Sequence, residues 1–241
     1  MTAPARVPGV RNRLAFEEGS LLDDRIVPGS IARRRARLGE PHVAELNRWT
    51  RDVARVEGRA VPCFDPESGG VRAPVLVLLQ DPSRVAAHGS RLISRHNNDR
   101  TAGTTHRICT DVGLPYASTL LWNVVPWWVG DPAVPAGQRL GLAAAARRAR
   151  PHLHTLLDLL PGVRVVVLLG RHAQRAWDAA GPAVRGREVL RGPHPSPQAV
   201  ILTDRATGRR NADVLREVLA DAAARVSSRS AAPAPAPPAA R

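Results

Sequence analysis

The stretch Leu120-Leu121-Trp122-Asn123-Val124-Val125-Pro126-Trp127-Trp128 decides how the rest of the chain is interpreted. Its first part is an apolar run short enough to be one buried strand. A single amide, Asn123, stands where that strand is expected to end, and a proline turn with two of the five tryptophans follows. Apolar walls around one hydrogen-bonding group are typical of a pocket for a flat polar ligand. Such a pocket needs further polar groups that converge on Asn123.

Three other apolar runs predict strands of the same sheet. They lie at residues 75–79, 164–170 and 189–191, and helical patterns separate them. Continuous apolar runs are expected of central strands that are covered on both faces. Because strands alternate with helices, the chain is predicted to be an α/β protein with a parallel, doubly wound sheet.

The pattern predicts helices at residues 41–57, 101–112, 138–160, 171–180 and 211–226, with an interruption at Pro151. In the first of these, apolar side chains from Val43 to Val56 recur at helical spacing. Residues 84–104 are expected to form a long polar loop, in which Asn97, Asn98 and Asp99 either stabilise the loop or contact a ligand.

The chain is predicted to have one domain, residues 41–226, with an appendage at each end. Residues 1–40 form a basic, partly ordered extension, which is either solvated or a DNA-contacting arm. Residues 227–241 are rich in Ala and Pro and are expected to be disordered.

Polar side chains follow each predicted strand. Gln80 and Asp81 follow the first, Asn123 ends the second, Arg171 follows the third and His194 follows the fourth. Parallel strands end at one edge of a sheet, and open α/β sheets bind their ligands there. We therefore expect these five side chains to converge.

The composition points to a polyanionic partner and excludes several kinds of chemistry. The formal net charge is +14, and all 35 basic residues are Arg. Nucleic acid is the expected partner, although the complete use of Arg also indicates a biased genome that raises the charge by itself. Without Lys, the chain can form neither a phosphate loop of the Gly-Lys-Ser/Thr type nor a lysine imine.

The cellular context is predicted from what the sequence lacks. No apolar run approaches the roughly 18 residues of a membrane span, and the N-terminus has no apolar signal region. Two cysteines are too few for a four-cysteine metal or iron–sulfur site. We expect a cytoplasmic monomer that associates with the nucleoid when bound to DNA, with no membrane contact, metal or cofactor.

Three segments together resemble the uracil-DNA glycosylase superfamily. They are Gln80-Asp81-Pro82, Leu120-Leu121-Trp122-Asn123 and His194-Pro195-Ser196-Pro197, and residues 165–174 are similar to the family's third strand and helix. The similarity covers roughly residues 60–220. It implies a three-layer α/β/α sandwich around a four-stranded parallel sheet.

The resemblance also implies roles for individual residues. Asp81 would position the attacking water and stabilise the sugar cation, and His194 would hydrogen-bond the base O2 as negative charge develops. Asn123, next to Gln80, would read the polar edge of the base. The chemistry agrees, because cleavage of an N-glycosidic bond needs an anion near the sugar and donors at the leaving base. An amide offers both a donor and an acceptor.

The loop after the fourth strand is implied to contact DNA. Pro195, Ser196 and Pro197 would press on the minor groove, while Arg171 would contact phosphate or pair with a carboxylate. Gln198 stands where the well-known branch of the family inserts a Leu into the base stack, which weakens the wedge.

Two other departures from the family pattern affect specificity. Ser83 replaces a tyrosine that blocks the thymine methyl in the uracil-specific branch. Leu92, or alternatively Ile93, replaces a Phe that stacks on the base. Trp127 and Trp128 either pack in the core or line the pocket. We therefore expect a divergent branch, without the iron–sulfur cluster, whose specificity is broader than uracil.

The sequence thus predicts a monofunctional DNA glycosylase of base excision repair. It would flip uracil or another deaminated base out of DNA, hydrolyse its N-glycosidic bond and leave an abasic site. Two alternatives remain open. One is a DNA-binding module of the same fold with weakened catalysis or a covalent trap, and the other is a hydrolase of free nucleosides.

Overall fold

Four parallel strands form the central sheet of the protein, which a computed structural model describes over residues 8–182, 184, 186–204 and 207–230. In chain order the strands are β1 (Cys63–Phe64), β2 (Val75–Leu79), β3 (Leu92–Ile93), β4 (Thr119–Asn123), β5 (Val165–Leu169) and β6 (Glu188–Gly192). The central sheet has the order β4-β2-β5-β6, and all its pairs are parallel. β1 and β3 form a separate parallel pair.

Helices cover the sheet. They are α1 (Arg13–Glu17), α2 (Ser30–Arg35), α3 (Pro41–Glu57), α4 (Arg100–Asp111), α5 (Leu142–Asp158), α6 (Arg171–Ala180), α7 (Pro197–Val200) and α8 (Asn211–Ser230). α8 packs against β5, β6 and α4, whereas α6 packs against β2, β5 and α5. The predicted three-layer α/β/α sandwich around a four-stranded parallel sheet is confirmed. Among the described residues, no helix is long and apolar enough to cross a membrane.

α3 shows why the predicted helix bounds are met. Pro41 occupies the first turn, where the missing N–H has no helical partner to lose, and Gly58 ends the helix in the left-handed conformation with φ 61°. The helix buries Val43, Leu46, Trp49 and Val53 in the core. Val56 continues the apolar spacing, but its side chain is 66% exposed.

The interruption predicted at Pro151 is wrong, because α5 continues through it. A proline inside a helix removes one hydrogen bond and usually kinks the helix. Pro151 lies on the exposed side of α5, while Ala149, Leu153 and Leu157 are buried on the other side. Their burial holds the helix together across the proline.

The segment of residues 84–104 is largely buried rather than a polar surface loop. It contains one π-helical turn, Val85–Gly89, and the strand β3. Its side chains between Ser94 and Asn98 are all buried. Buried polar groups require hydrogen-bond partners, and the N-terminal segment supplies many of them.

Residues 8–40 contact the domain through buried groups. The Asn12 amide donates to the carbonyls of Arg95 (2.7 Å) and Asn97 (3.1 Å), and the Leu22 N–H donates to the carbonyl of His96 (3.0 Å). Leu22 is itself buried. At the other end of the chain, α8 continues to Ser230, past the residue where the tail was expected to begin. Residues 231–241 of that predicted tail lie outside the described residues.

Candidate active site

A cavity of about 340 Å³ lies at the carboxyl edge of the central sheet. Its position follows from the strand register, which pairs Leu79 at the end of β2 with Asn123 at the end of β4. Five predicted site residues line it, namely Gln80, Asp81, Ser83, Asn123 and His194. The structure therefore brings together the groups that follow three of the four central strands.

Two hydrogen bonds hold the Asp81 carboxylate in the lining of the cavity. One carboxylate oxygen accepts from the backbone N–H of Val129 (2.9 Å), and the other accepts from the Gln80 amide (2.8 Å). Burial raises the pKa of Asp81 above its usual 3.8, although both hydrogen bonds and nearby His172 oppose the shift. Each carboxylate oxygen has two acceptor positions, so capacity remains for a water or a sugar.

The tautomer of His194 follows from one contact. Its Nδ1 accepts the backbone N–H of Ser196 at 3.1 Å, so a neutral ring carries its proton on Nε2. Burial, followed by the charge of His172, lowers the pKa of His194 below 6.5. The ring therefore presents a neutral Nε2–H donor. Gly170 lies directly against His194. A Cβ at position 170 would be only 3.0 Å from the Cβ of His194, and the φ of +93° is itself one that favours glycine.

Asn123 offers an amide that the rest of the described chain does not use. Its backbone belongs to β4, and the residue is 5% exposed. Its side chain makes no hydrogen bond to another described residue, although it lines the cavity. A buried amide with free donor and acceptor groups is suited to a ligand that carries a carbonyl next to an N–H.

Of the two candidates for the base-stacking position, Ile93 lines the cavity and Leu92 does not, and Leu79 and Leu121 are the other large aliphatic residues of the lining. Both candidates belong to β3. Leu92 is fully buried. Successive side chains of a strand point to opposite sides, so only one of these two neighbours faces the cavity.

The two tryptophans have different surroundings. Trp127 is 1% exposed and belongs to the hydrophobic core. Trp128 lines the cavity and meets the ring of His88 edge-on, with centroids 5.6 Å apart. Of the two positions left open by the sequence, Trp127 therefore packs in the core and Trp128 lines the pocket.

Two further polar residues of the cavity were left undecided by the sequence, Asn97 and Asp99. Asp99 caps α4, since its carboxylate accepts the N–H of Ala102 at 2.8 Å, and burial raises its pKa. An aspartate just before a predicted helix is a common N-cap, so the sequence could have indicated this role. Asn98, between them, instead binds the N-terminal segment through Asp23 (2.7 Å). Ser94 also lines the cavity, and no sequence signal distinguished it.

A second cavity, of about 820 Å³, adjoins the first. Gln80 and His194 line both, and Arg171, Arg191 and Arg209 line only the larger one. Arg191 pairs with Asp178 at 2.6 Å, and Arg209 pairs with Glu217. Arg171 is exposed and forms no ion pair with any described carboxylate.

The predicted DNA-contacting loop lies beside the cavities rather than in them. Pro195, Ser196, Pro197 and Gln198 line neither one. The hydroxyl of Ser196 caps α7 by accepting the N–H of Ala199 at 3.3 Å, and Gln198 is exposed. Pro195 is buried, so of the two prolines predicted to press on the minor groove only Pro197 is partly accessible.

One group of side chains has the types that bind metals, but its surroundings oppose a cation. Atoms of Glu18, His96 and His106 lie within 4.8 Å of one another. The Arg34 guanidinium approaches Nδ1 of His96 at 3.3 Å. A guanidinium donates there and carries positive charge, so these residues do not fit a metal site.

Comparison with known proteins assigns the family. A search of curated proteins found no match to the chain. The family model of the uracil DNA glycosylase superfamily matches residues 66–223, which is more than half of the chain and contains β2, β4, β5, β6 and the cavity. With this match and the parallel sheet described above, the chain belongs to the uracil DNA glycosylase superfamily.

Proposed function

We propose that the protein is a monofunctional DNA glycosylase that removes uracil or another deaminated base and leaves an abasic site. The observation that supports it is one cavity lined by a carboxylate, an unengaged amide and an imidazole, contributed by Asp81, Asn123 and His194. Its volume of about 340 Å³ is at the small end of ligand pockets, roughly 300–1,000 Å³, and suits a single flipped nucleotide.

Each of the three groups has one task in the proposed reaction. As the N-glycosidic bond breaks, its electron pair passes to the base. The Nε2–H of His194 stabilises the negative charge on the acceptor next to the glycosidic nitrogen, which is O2 in uracil and N3 in a purine. The Asp81 carboxylate stabilises the positive charge on the sugar. A water oxygen then bonds to C1′ and transfers its proton to Asp81, while Asn123 holds the base through its donor and acceptor.

The walls of the cavity favour a broader range of bases than uracil. Ser83, Ile93 and Trp128 line it. A serine side chain leaves more room than a tyrosine, and Ile93 contributes an apolar surface without the directional stacking of an aromatic ring. The range we propose includes hypoxanthine and xanthine.

DNA is the proposed partner of the larger cavity as well. Arg171, Arg191 and Arg209 line it directly beside His194. They would contact the phosphates that flank the flipped nucleotide, with Ser196 and Pro197 against the minor groove. Binding should weaken steeply as salt rises, because each neutralised phosphate releases counterions. The absence of Lys favours hydrolysis without strand cleavage through an imine.

A second candidate is a catalytically weak or covalently trapping DNA-binding protein of the same fold. It is favoured by the two protein hydrogen bonds that Asp81 already accepts. These bonds occupy two of the acceptor positions of the carboxylate and oppose the rise in pKa that burial causes. A protein–DNA band that survives denaturing electrophoresis would identify a trap, whereas turnover releases free protein.

The test is base excision from oligonucleotides that contain uracil, hypoxanthine or xanthine, in single-stranded and duplex form, with free nucleosides as a separate substrate. Asp81→Ala and His194→Ala should each lose about 100-fold or more in rate. Asp52→Ala is the matched control, since Asp52 lies on the solvent side of α3 and, among the described residues, forms an ion pair with Arg55 alone. Full activity in both site variants would exclude the proposed mechanism.

A further inference from the structure

The N-terminal segment lies beside the lining of the smaller cavity, although it precedes the residues that the family model matches. The contact is made by Asn98, whose chain neighbours Asn97 and Asp99 both line the cavity. The buried Asn98 amide accepts the N–H of Arg11 at 2.7 Å and donates to the carbonyl of Gly9 at 3.0 Å. This stretch of backbone is therefore fixed next to the cavity lining.

The first turn of α4 packs against the same stretch. A Cβ at Gly103 would lie 3.1 Å from the carbonyl oxygen of Arg11 and 3.2 Å from the Cα of Asn12, so glycine lets the two backbones approach closely. The side chain of Arg11 is itself exposed. A fixed backbone that carries an exposed guanidinium presents its positive charge at a defined place.

Three exposed arginines adjoin this cavity. Arg84 directly follows Ser83 and Arg100 directly follows Asp99, and both of these preceding residues line the cavity. Burial raises the pKa of Asp99, and the positive charge of Arg11 opposes that rise together with the hydrogen bonds of Asp99, so this guanidinium lies close enough to act on the carboxylate. None of the three arginines forms an ion pair with a described carboxylate.

Arginines elsewhere on the neighbouring helices are neutralised. Arg13, at the start of α1, pairs with Glu17 at 2.6 Å, and Arg107 in α4 pairs with Asp111 at 4.0 Å. Unpaired positive charges near one another repel, and an anionic ligand relieves that repulsion. Their concentration beside the cavity is typical of a surface that binds a polyanion.

We propose that Arg11, Arg84 and Arg100 bind phosphates of the DNA strand that carries the target base, so that the N-terminal segment forms part of the DNA-binding surface. The proposal rests on the proposed glycosylase function. Arg171 lines the larger cavity and not the smaller one. A strand that places its base in the smaller cavity would therefore meet positive charge beside both cavities.

Arginine suits this task because its planar guanidinium donates two parallel hydrogen bonds to a phosphate. Each phosphate that the protein neutralises also releases counterions, which adds about 0.7 to the slope of log affinity against log salt on a single strand. Loss of one such contact should lower the slope by that amount. The contribution of each arginine can therefore be measured separately.

The experiment measures the binding of a single-stranded oligonucleotide that contains an abasic-site analogue, between about 50 and 200 mM salt. Arg11→Gln, Arg84→Gln and Arg100→Gln should each lower the salt slope by about 0.7 and weaken binding by about threefold or more at the lower salt concentration. Arg13→Gln is the matched control, because it removes the same charge from the same segment while Arg13 already pairs with Glu17. Its slope and affinity should equal those of the wild type.

A neutral methylphosphonate, placed at each phosphate in turn, identifies the contact of Arg11. At the phosphate that Arg11 binds, this replacement should weaken binding of the wild type but have little effect on Arg11→Gln, because the same pair is already broken. Unchanged salt slopes in all three variants, or equal losses in Arg13→Gln, would overturn the proposal. So would methylphosphonate effects that are the same in the wild type and in Arg11→Gln at every position.

This binding measurement needs no excision, so it separates the DNA-binding surface from the catalytic function. If the wild type releases uracil but no phosphate is coupled to Arg11, the proposed surface is wrong and the glycosylase stands. If the coupling is present and no base is released, the surface stands and the glycosylase proposal fails. The midpoint of urea unfolding should be the same in Arg11→Gln as in the wild type, because the Asn98 amide binds the backbone N–H that glutamine retains.

Discussion

The Arg34 guanidinium and the Asp65 carboxylate form a buried ion pair, in which Nη1 lies 2.8 Å from each carboxylate oxygen. Asp65 also accepts hydrogen bonds from the hydroxyls of Ser94 and Tyr116. Ser94 lines the smaller cavity, whereas Arg34 belongs to α2 in the N-terminal segment. The segment expected to be an extension is thus connected to the candidate active site through one carboxylate.

Replacing Arg34 should destabilise the whole domain. Arg34→Met leaves the Asp65 carboxylate buried without its charge partner, which typically costs about 3–5 kcal/mol. Urea unfolding measures the loss. Arg33→Met, on the same helix, is the control, because Arg33 is exposed and donates only to the Pro28 carbonyl, and its effect should stay within about 0.5 kcal/mol. A similar small effect at both positions would contradict this assignment.

Acid should destabilise the fold through two buried histidines. Burial lowers the pKa of His96 to about 3 and that of His106 to about 4. Each stays neutral in the folded state while the unfolded state takes up a proton near pH 6.5. Their stabilising contribution is complete above that pH and is lost as the pH falls, by up to about 1.4 kcal/mol per pH unit for each histidine.

Urea unfolding between about pH 7.5 and 5 checks this slope. His96→Gln and His106→Gln should each flatten the curve, because a glutamine takes up no proton. His88→Gln is the control, since its side chain is exposed. An unchanged slope in both variants would assign the acid sensitivity to other groups.

The central sheet and most of the cavity were predictable for a common reason. Strands covered on both faces must be continuously apolar, and parallel strands end together, so the residues after Leu79 and at Asn123 had to converge. Helix ends were equally visible where Pro41 and Gly58 mark them. These features depend on local sequence and on the rules of parallel sheets.

The features that were missed depend on contacts between distant residues. The hydrogen bond between Asn12 and the carbonyl of Arg95 joins residues 83 positions apart, and no local pattern encodes it. Whether Leu92 or Ile93 lines the cavity depends on which side of a two-residue strand faces it. Tertiary packing decides each of these.

The pH dependence of the excision rate should reflect ionisation of the Asp81 carboxyl. Burial raises the pKa of this carboxyl above 3.8, and the ionised form is the one that stabilises the sugar cation and accepts the proton of water. The rate should therefore fall as the pH drops through this raised pKa. Asp81→Asn should lose about 100-fold or more and also lose that acidic limb. Single-turnover rates across the pH range measure both effects.

The alternative outcome for Asp81 is structural. Its carboxylate also holds the N–H of Val129, next to Trp128. If Asp81→Asn and Asp81→Ala kept the wild-type pH profile and lost only affinity for DNA, the residue would position Trp128 and take no part in proton transfer. Binding to an oligonucleotide with an abasic site, measured at constant salt, separates affinity from rate.

Ser83 should set how large a base the cavity accepts. It lies exposed at the mouth of the cavity, and its hydroxyl accepts the N–H of Ala86 at 3.2 Å. Ser83→Tyr would place a ring over the space beside Asn123. Excision of hypoxanthine and xanthine should fall by about tenfold or more relative to uracil, a size of discrimination that steric pockets achieve.

Ser83→Ala separates the ring from loss of the hydroxyl. This variant removes the Ala86 hydrogen bond without filling the cavity, so its preferences among the three bases should match the wild type. A ratio of rates is the measurement, since it cancels any common loss of folded protein. If Ser83→Tyr lowered the excision of all three bases equally, other residues would determine the size of base that is accepted, with Ile93 and Trp128 among those that line the cavity.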